Sequence, residues 1–189
     1  MTWPFGDLRP LSYDLIMIDP PWSFKLRSEN GQRKSADAHY DCMSLDDIKA
    51  LPVSQLASTD SLVWLWATNP MLRQAFETLS AWGISFVTAG SWVKTTTHGK
   101  LAFGTGYVLR CASEPFLIGR IGKPRTAKNI RSAFHAPIRE HSRKPDKAYE
   151  IAQALAIDAT RRADLFSRES RAGWDTWENE AGKFDGAAI

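Results

Sequence analysis

The stretch YDLIMIDPPW at residues 13–22 decides how this chain folds. Its opening run, Tyr13–Ile18, is almost continuously apolar and of strand length, which is typical of a strand buried on both faces of a sheet. Asp19, Pro20 and Pro21 follow directly, and neither a strand nor a helix continues through two successive prolines. The sequence therefore predicts a buried strand that ends at Ile18 and carries DPPW at its carboxyl end.

Four more apolar runs predict strands, and helical patterns separate most of them. The predicted strands are Ser61–Ala67, Ile84–Lys94, Glu114–Arg120 and Arg162–Ser167. Strands that alternate with helices indicate an α/β fold with a mostly parallel sheet and helices on both faces. In such sheets the ligand lies beyond the carboxyl ends of the strands, where the strand order reverses. Asp19 is therefore expected at the ligand site.

Three helices are predicted from the residues at their ends. Ser44 and the acid three residues later are spaced as a capping box. Asn69 is expected to cap the second helix, with a proline at its first position and Gly83 after its last turn. Pro145 opens the third helix.

Length and composition indicate one globular domain over residues 1–189. The chain has 43% hydrophobic and 24% charged residues, close to the globular average. No apolar run approaches the eighteen or so residues of a membrane span, and the first ten residues lack a secretory signal. Two cysteines and four histidines show no disulfide framework and no zinc-ligand spacing. We therefore expect a cytoplasmic protein that binds neither a membrane nor a metal.

The positive charge is concentrated in one segment. Residues 119–147 carry nine Lys and Arg residues against two acidic residues, a net charge of +7, whereas the whole chain carries +3. Such a block either contacts a polyanion or is a solvated surface loop. We interpret residues 23–41 and 119–144 as two substrate loops, with Arg125, Lys128 and Arg131 contacting phosphates.

The DPPW tetrapeptide has the groups needed to activate an exocyclic amine of a nucleobase. A carboxylate that accepts one N–H and a carbonyl that accepts the other favour a more nucleophilic nitrogen. Pro20 and Pro21 would hold such a carbonyl outward beside Asp19, and Trp22 would offer a face on which a flipped base stacks. The alternative is a tight turn with a capping Asp and a core Trp. The position and rarity of the motif favour the catalytic interpretation.

In these residues the chain resembles the MT-A70 family, the adenine methyltransferases that carry DPPW. The resemblance runs from about Tyr13 to Gly182 and rests on ordered blocks: DPPW at 19–22, HYDCMSLDDI at 39–48, LVWLWATN at 62–69, GTGYVLRCASEPFLIG at 104–119, HSRKPDKAY at 141–149 and LFSR at 165–168. It implies a Rossmann-like class I methyltransferase fold that uses S-adenosylmethionine. It also implies a circularly permuted order, with the catalytic motif before the cofactor strand.

The resemblance also implies which residues contact the cofactor. Lys144 suits the carboxylate of the cofactor, and Arg168 and Arg171 suit its ribose. Asn179 and Glu180 suit its ribose or adenine. The complete expected set is Ile18, Asp19, Lys144, Arg168, Arg171, Asn179 and Glu180. The chain departs from better-known members at Arg171, where they carry Asn, and at Glu180, where they carry an amide.

Two further residues are expected near the substrate. Tyr40 matches the aromatic residue that lines the target-base pocket of the family, although an ordinary half-buried tyrosine is the alternative. Glu114 is expected to bury its carboxylate against a basic partner or against the substrate.

We therefore expect methyl transfer from S-adenosylmethionine to the N(6) amine of adenine in nucleic acid, with DNA favoured. RNA as substrate, the N(4) amine of cytosine, and a catalytically silent nucleic-acid-binding subunit are the alternatives. Because the chain has no obvious separate target-recognition domain, specificity would come from its loops, from a homodimer or from a partner subunit.

Overall fold

The computed structural model describes residues 3–22, 43–106, 108–139, 143–167 and 169–177. Its strands are β1 (Tyr13–Ile18), β2 (Ala57–Trp66), β3 (Ser85–Thr95), β4 (Ser113–Ile121), β5 (Ala133–Pro137), β6 (Arg162–Leu165) and β7 (Asp175–Trp177). Its α-helices are α1 (Leu45–Ala50), α2 (Leu72–Ala81) and α3 (Asp146–Leu155). Among the described residues, no helix is long and apolar enough to cross a bilayer.

The seven strands form one sheet in the order β5-β3-β4-β2-β1-β6-β7. β1 lies between two parallel neighbours, because Ile16 pairs with Val63 of β2 on one side and with Ala163 of β6 on the other. The pairs β3–β5 and β6–β7 are also parallel, whereas β4 is antiparallel to both β2 and β3. The predicted α/β fold is confirmed, and the sheet is mixed because β3 returns directly into β4 without a crossover helix.

Side chains alternate along β1 and divide the core into two layers. Ile16 and Ile18 face one layer, which also contains Ile48 of α1 and residues of α2. Met17 faces the other layer, which contains Ala152 of α3. Helices therefore cover both faces of the sheet, as the buried character of β1 predicted.

Two strands were not predicted from the sequence. β5 lies inside the basic segment, and β7 has only three residues after the Gly173 turn. The expected loop at 119–144 is therefore not continuous, because its first residues end β4 and residues 133–137 form β5. Neither strand has the long apolar run that marked the others.

The expected cap at Asn69 is wrong, whereas the other helix ends agree with the sequence. Asn69 lies inside a short 3-10 turn, Asn69–Met71, that precedes α2, and the N-cap of α2 is Met71 without a side-chain bond. The hydroxyl of Ser44 accepts a hydrogen bond from the N–H of Asp47 at 3.1 Å, as a capping box requires. Gly83 ends α2 with a φ of +70°, a conformation that favours glycine.

Candidate active site

The DPPW turn lies where the central strand ends. The N–H of Asp19 donates to the carbonyl of Leu165 at 3.2 Å, so the motif is joined to the carboxyl end of β6. The carbonyl of Pro20 accepts the N–H of Trp22 at 2.7 Å, which closes a tight three-residue turn. A carbonyl oxygen has two lone pairs, so Pro20 can accept a second hydrogen bond.

Trp22 is part of the core. Its ring is only 4% exposed, and its indole N–H donates to the carbonyl of Trp66 at 3.1 Å. The structure therefore does not show the open stacking face that the sequence interpretation expected. The observed contacts indicate that Trp22 fixes the turn and, with it, the direction of the Pro20 carbonyl.

A chain of four alternating charges runs from Asp19 into the protein. The ammonium of Lys144 lies 2.7 Å from Asp19 and 2.9 Å from Glu114. The second oxygen of Glu114 lies 2.6 Å from the ammonium of Lys94. Lys144 precedes α3, so the start of this helix brings it to the edge of the sheet where β1 ends.

Burial strengthens these charge pairs. The side chain of Lys144 is 6% exposed, and burial by itself would lower the pKa of its ammonium, but Asp19 and Glu114 raise that pKa above its usual value. Burial would likewise raise the pKa of Glu114, yet Lys144 and Lys94 lower it to about 2. Lys144 and Glu114 are therefore both charged at neutral pH, and the positive charge of Lys144 lies beside the carboxylate of Asp19.

A cleft of about 330 Å³ opens beside Asp19 at the carboxyl ends of β1 and β6. Most of its lining is charged, in three acid and three base side chains: Asp19, Asp164, Glu169, Arg143, Lys144 and Arg171. Because β1 pairs with β2 on one side and β6 on the other, this is the point where the strand order reverses.

Asp164 is a buried acid at the wall of this cleft. It is 1% exposed and accepts a hydrogen bond from the hydroxyl of Tyr149 at 2.8 Å. Burial raises the pKa of Asp164 to about 7, although hydrogen bonds from Ser167 and Tyr149 oppose this. Asp164 therefore changes its charge near neutral pH, unlike the ionised Glu114.

Arg171, which also lines the cleft, is held in place by several contacts. Its guanidinium lies 2.7 Å from Glu169 and 2.8 Å from Asp146, and it stacks 3.8 Å from the ring centre of Tyr149. Glu169 also forms an ion pair with Arg143. These contacts fix a fork of N–H donors at the end of β6, where the sequence interpretation expected a ribose.

Phe166 has a strained backbone at the end of β6. Its φ is +63°, a left-handed conformation that is rare for a bulky residue, and its N–H donates to the carbonyl of Trp177 at 2.8 Å. The chain thereby turns sharply after Leu165, so that Ser167 and Glu169 line the cleft. Such strain is common where a site depends on the direction of a few side chains.

The structure brings together some of the expected site residues. Asp19, Lys144 and Arg171 line one cleft, and Glu114 reaches it through Lys144. Ile18 is completely buried, so it contributes backbone and packing at the end of β1. Tyr40, Arg168, Asn179 and Glu180 lie outside the described residues.

The basic residues chosen from the sequence lie elsewhere. β4 begins at the site with Glu114 and ends at Ile121, which pairs with Ser61 near the start of β2. Arg125 and Lys128 follow this far end of β4, roughly 23 Å along the strand from Glu114. The N–H of Ala127 donates to Leu155 at the end of α3, at 2.9 Å. The structure thus places Arg125 and Lys128 at the edge of the sheet opposite Asp19.

Arg131 is also distant from the cleft. It is exposed and precedes β5, whose first residue pairs with Ser91 in the middle of β3. Among the described residues, no group of His, Cys, Asp and Glu is arranged to hold a metal ion.

Several residues of the cleft were not selected as site residues from the sequence. Tyr149, Asp164 and Glu169 line it, and Lys94 completes the charge chain. Their position in the sequence could have identified two of them, because Asp164 lies on the last predicted strand and Glu169 follows that strand directly. Lys94 likewise ends a predicted strand, although nothing in the sequence pairs it with Glu114.

Comparisons with known proteins agree with this geometry. A model of the MT-A70 family matches residues 13–180. A probable N(6)-adenosine-methyltransferase MT-A70-like of Oryza sativa subsp. japonica is 32% identical, over 94% of this chain and 25% of the relative. The N(6)-adenine-specific methyltransferase METTL4 of Homo sapiens is 28% identical, over 92% of this chain and 38% of the relative.

A shorter relative covers the same region. The type II methyltransferase M.MunI of Mycoplasma sp is 28% identical, over 92% of this chain and 79% of the relative. The chain thus spans about a quarter of the length of its rice relative and most of M.MunI. The family match includes the DPPW turn, Lys144 and the strand that ends at Leu165. The chain belongs to the MT-A70 family.

Proposed function

We propose that this protein transfers a methyl group from S-adenosylmethionine to the exocyclic N(6) amine of adenine in nucleic acid, with DNA as the favoured substrate. The observation that carries the proposal is the carboxylate of Asp19, held 2.7 Å from the ammonium of Lys144 in a charged cleft. The names of the METTL4 and rice relatives, which specify N(6) of adenine or adenosine, support the choice of base.

The DPPW turn would hold the reacting amine. The Asp19 carboxylate would accept one N–H of the amine, and the Pro20 carbonyl would accept the other through its second lone pair. Both acceptors draw the amine hydrogens out of the plane of the base, which leaves more of the nitrogen lone pair available for attack. Trp22 acts indirectly in this proposal, because its N–H and its buried ring fix the Pro20 carbonyl.

The chemistry of the cleft fits S-adenosylmethionine, which supplies a methyl group on a positively charged sulfur. The ammonium of Lys144 has three N–H donors, and Asp19 and Glu114 accept two of them. The third suits the carboxylate of the cofactor's amino acid. The carboxylates of Glu169 and Asp164 suit its hydroxyl and ammonium groups, and Asp19 contributes negative charge near the sulfonium.

RNA is the second candidate substrate. The rice relative is named for adenosine, the ribonucleoside, and nothing in the described cleft distinguishes a ribose from a deoxyribose in the substrate. In either case the target adenine must leave its stack, because its amine is inaccessible inside a duplex.

The test is a methylation assay with three substrates. The purified chain is incubated with S-adenosylmethionine and duplex DNA, single-stranded DNA or RNA, and the digested nucleosides are analysed by mass spectrometry. We expect N(6)-methyladenine in at least one pool. Asp19→Asn should lower the rate by a hundredfold or more, because it removes the charged acceptor.

Asp46→Asn is the matched control, because Asp46 is an exposed acid in the first turn of α1. It should methylate at the wild-type rate, and circular dichroism should show that both variants are folded. Methylation by Asp19→Asn at the wild-type rate would overturn the mechanism. Methylcytosine as the product would replace the adenine assignment by the cytosine alternative.

A further inference from the structure

The connection between β3 and β4 begins and ends at the charge chain; its described residues are 96–106 and 108–112, and we call them the β3–β4 loop. The N–H of Lys94 donates to the carbonyl of Ala112, and the carbonyl of Lys94 accepts the N–H of Ala102, both at 2.9 Å. The side chain of Lys94 pairs with Glu114, which reaches Asp19 through Lys144. The base of the loop is therefore anchored beside the proposed reacting group.

The loop exposes large apolar side chains. Leu101 is 62% exposed, Phe103 81%, Val108 95% and Leu109 82%. Isolated exposed apolar residues are ordinary, but four within nine positions of one loop are not. Ala102 is 8% exposed and turns inward between them, so the chain alternates and Leu101 and Phe103 point away from the protein.

The loop is also entirely without negative charge. Between Thr95 and Ser113 the sequence contains Lys100 and Arg110 and no acidic residue. The guanidinium carbon of Arg110 lies 5.3 Å from the centre of the Phe103 ring, within cation–π distance. The loop thus presents an aromatic ring beside a cation.

Backbone contacts give this loop a defined shape. The N–H of Gly104 donates to the carbonyl of Cys111 at 2.9 Å, which draws the two sides of the tip together. A Cβ at Gly106 would lie 2.0 Å from the carbonyl oxygen of Leu109, so only glycine permits this approach. Phe103 precedes Gly104 and Arg110 precedes Cys111, so this hydrogen bond holds the two residues near each other.

We infer that the β3–β4 loop binds the nucleic-acid strand that carries the target base, with Phe103 stacking on a neighbouring base and Arg110 contacting the strand beside it. The inference rests on the proposed function, since it names the surface that presents the substrate to Asp19. A nucleobase stacks on an aromatic ring irrespective of sequence, and the phosphates beside it require cations. Charge favours this occupant, because the loop pairs its apolar groups with positive charge alone.

The test measures binding of the whole chain to fluorescein-labelled DNA by fluorescence anisotropy. The probes are a 20-nucleotide single strand and a 20-base-pair duplex. Phe103→Ala should weaken binding of at least one of these probes about tenfold, the usual effect of one lost stacking contact. Phe103→Trp should bind within about twofold of wild type, because it retains an aromatic face. In the methylation assay, Phe103→Ala should raise KM for the nucleic acid and leave KM for S-adenosylmethionine unchanged.

Phe86→Ala is the matched control. Phe86 is 47% exposed near the start of β3, roughly 30 Å along the strand from Thr95. The Phe86→Ala variant should therefore bind DNA like wild type. Unchanged affinity of Phe103→Ala would overturn the inference while leaving the proposed function intact. Sedimentation velocity separates a further outcome: a wild-type dimer that Phe103→Ala dissociates, with unchanged DNA affinity, would assign the loop to a second copy instead. The methylation assay of Asp19→Asn tests the proposed function by itself, so failure of the loop inference and failure of the proposed function give different results.

Discussion

Glu114 and Asp164 are both buried acids near the cleft, but their surroundings have opposite effects on their charge. Glu114 lies between two ammonium groups, which outweigh burial and lower its pKa to about 2. Asp164 receives hydrogen bonds from neutral hydroxyl groups, and burial raises its pKa to about 7. Hydrogen bonds from Tyr149 and Ser167 alone therefore do not keep a buried carboxylate ionised, whereas two direct cations do.

The raised pKa of Asp164 predicts that its charge destabilises the fold at neutral pH. In the unfolded chain this acid titrates near 3.8, so between about pH 4 and 7 the folded state binds the additional proton. The contribution of Asp164 is therefore most favourable below pH 4 and is lost as the pH rises to 7. Asp164→Asn, which retains an acceptor for Tyr149, should be more stable than wild type at pH 8, by up to about 4 kcal/mol.

Urea unfolding at pH 5 and pH 8 measures this difference. The stability advantage of Asp164→Asn should grow between the two values. Asp46→Asn, at an exposed acid of α1, serves as the control and should show no such growth. An advantage that is equal at both pH values would mean that Asp164 is ionised throughout this range.

The sequence predicted the position of Asp19 but not the electrostatics around it. Asp19 follows an apolar strand and is followed by prolines, so its place at a sheet edge was predictable from local residues alone. Lys144 was predictable because it precedes a helix that must begin at the same edge. That Lys144 pairs with both Asp19 and Glu114 depends on three segments meeting, and no local pattern encodes that contact.

At the scale of elements, β3 packs closely where β4 and β5 flank it. A Cβ at Gly90 would lie 2.2 Å from the Phe116 ring and 2.4 Å from the carbonyl oxygen of Ser132. The Phe116 ring is itself stacked on Trp64, with ring centres 3.8 Å apart, so it has little room to move. This glycine therefore permits the close approach of the Phe116 ring and the segment that enters β5.

Gly90→Ala should destabilise the fold by about 1 to 3 kcal/mol, the usual result of overpacking a core. Urea denaturation gives the change in unfolding free energy, with Thr88→Ala as the control because Thr88 is exposed on the same strand. A Gly90→Ala protein as stable as wild type would show that the Phe116 ring yields easily.

The elements that the sequence predicted are those with long apolar runs. β1, β2 and β4 each contain at least four consecutive buried residues, and such a run predicts a strand from the sequence alone. β5 alternates buried and exposed residues over five positions within a basic segment, and β7 is shorter still. Such short edge elements form only because a neighbouring strand supplies their hydrogen bonds, which the sequence of the element does not record.

At the scale of the whole molecule, two pairs of exposed basic residues lie at opposite edges of the sheet. Lys100 and Arg110 lie on the loop beside the charge chain, whereas Arg125 and Lys128 follow the far end of β4. The concentration of charge along the sequence therefore coincides with the site only near its end, where Arg143 and Lys144 line the cleft. An antiparallel strand carried the middle of the basic segment away from it.

This division predicts two different salt dependences. Changing Lys100 and Arg110 to Gln, or Arg125 and Lys128 to Gln, lowers the net charge from +3 to +1 in either case. For single-stranded DNA, the first pair should flatten the slope of log affinity against log salt by about 1.4, and the second should leave it unchanged. Anisotropy titrations from low to high salt measure both. A flatter slope for the second pair would assign the far edge to phosphate contacts after all.

The ribosome synthesises the two halves of the site at different times. Lys144 and Asp19 are separated by 125 positions, and the hydroxyl of Tyr13 bonds Asp175 across 162 positions. At roughly 5 to 20 residues per second, a ribosome needs about 6 to 25 seconds to add Lys144 after Asp19. Throughout that interval the nascent chain carries its catalytic motif without the cation and the strand that complete the cleft. The cleft beside Asp19 therefore forms only after β6 has been synthesised and has paired with β1.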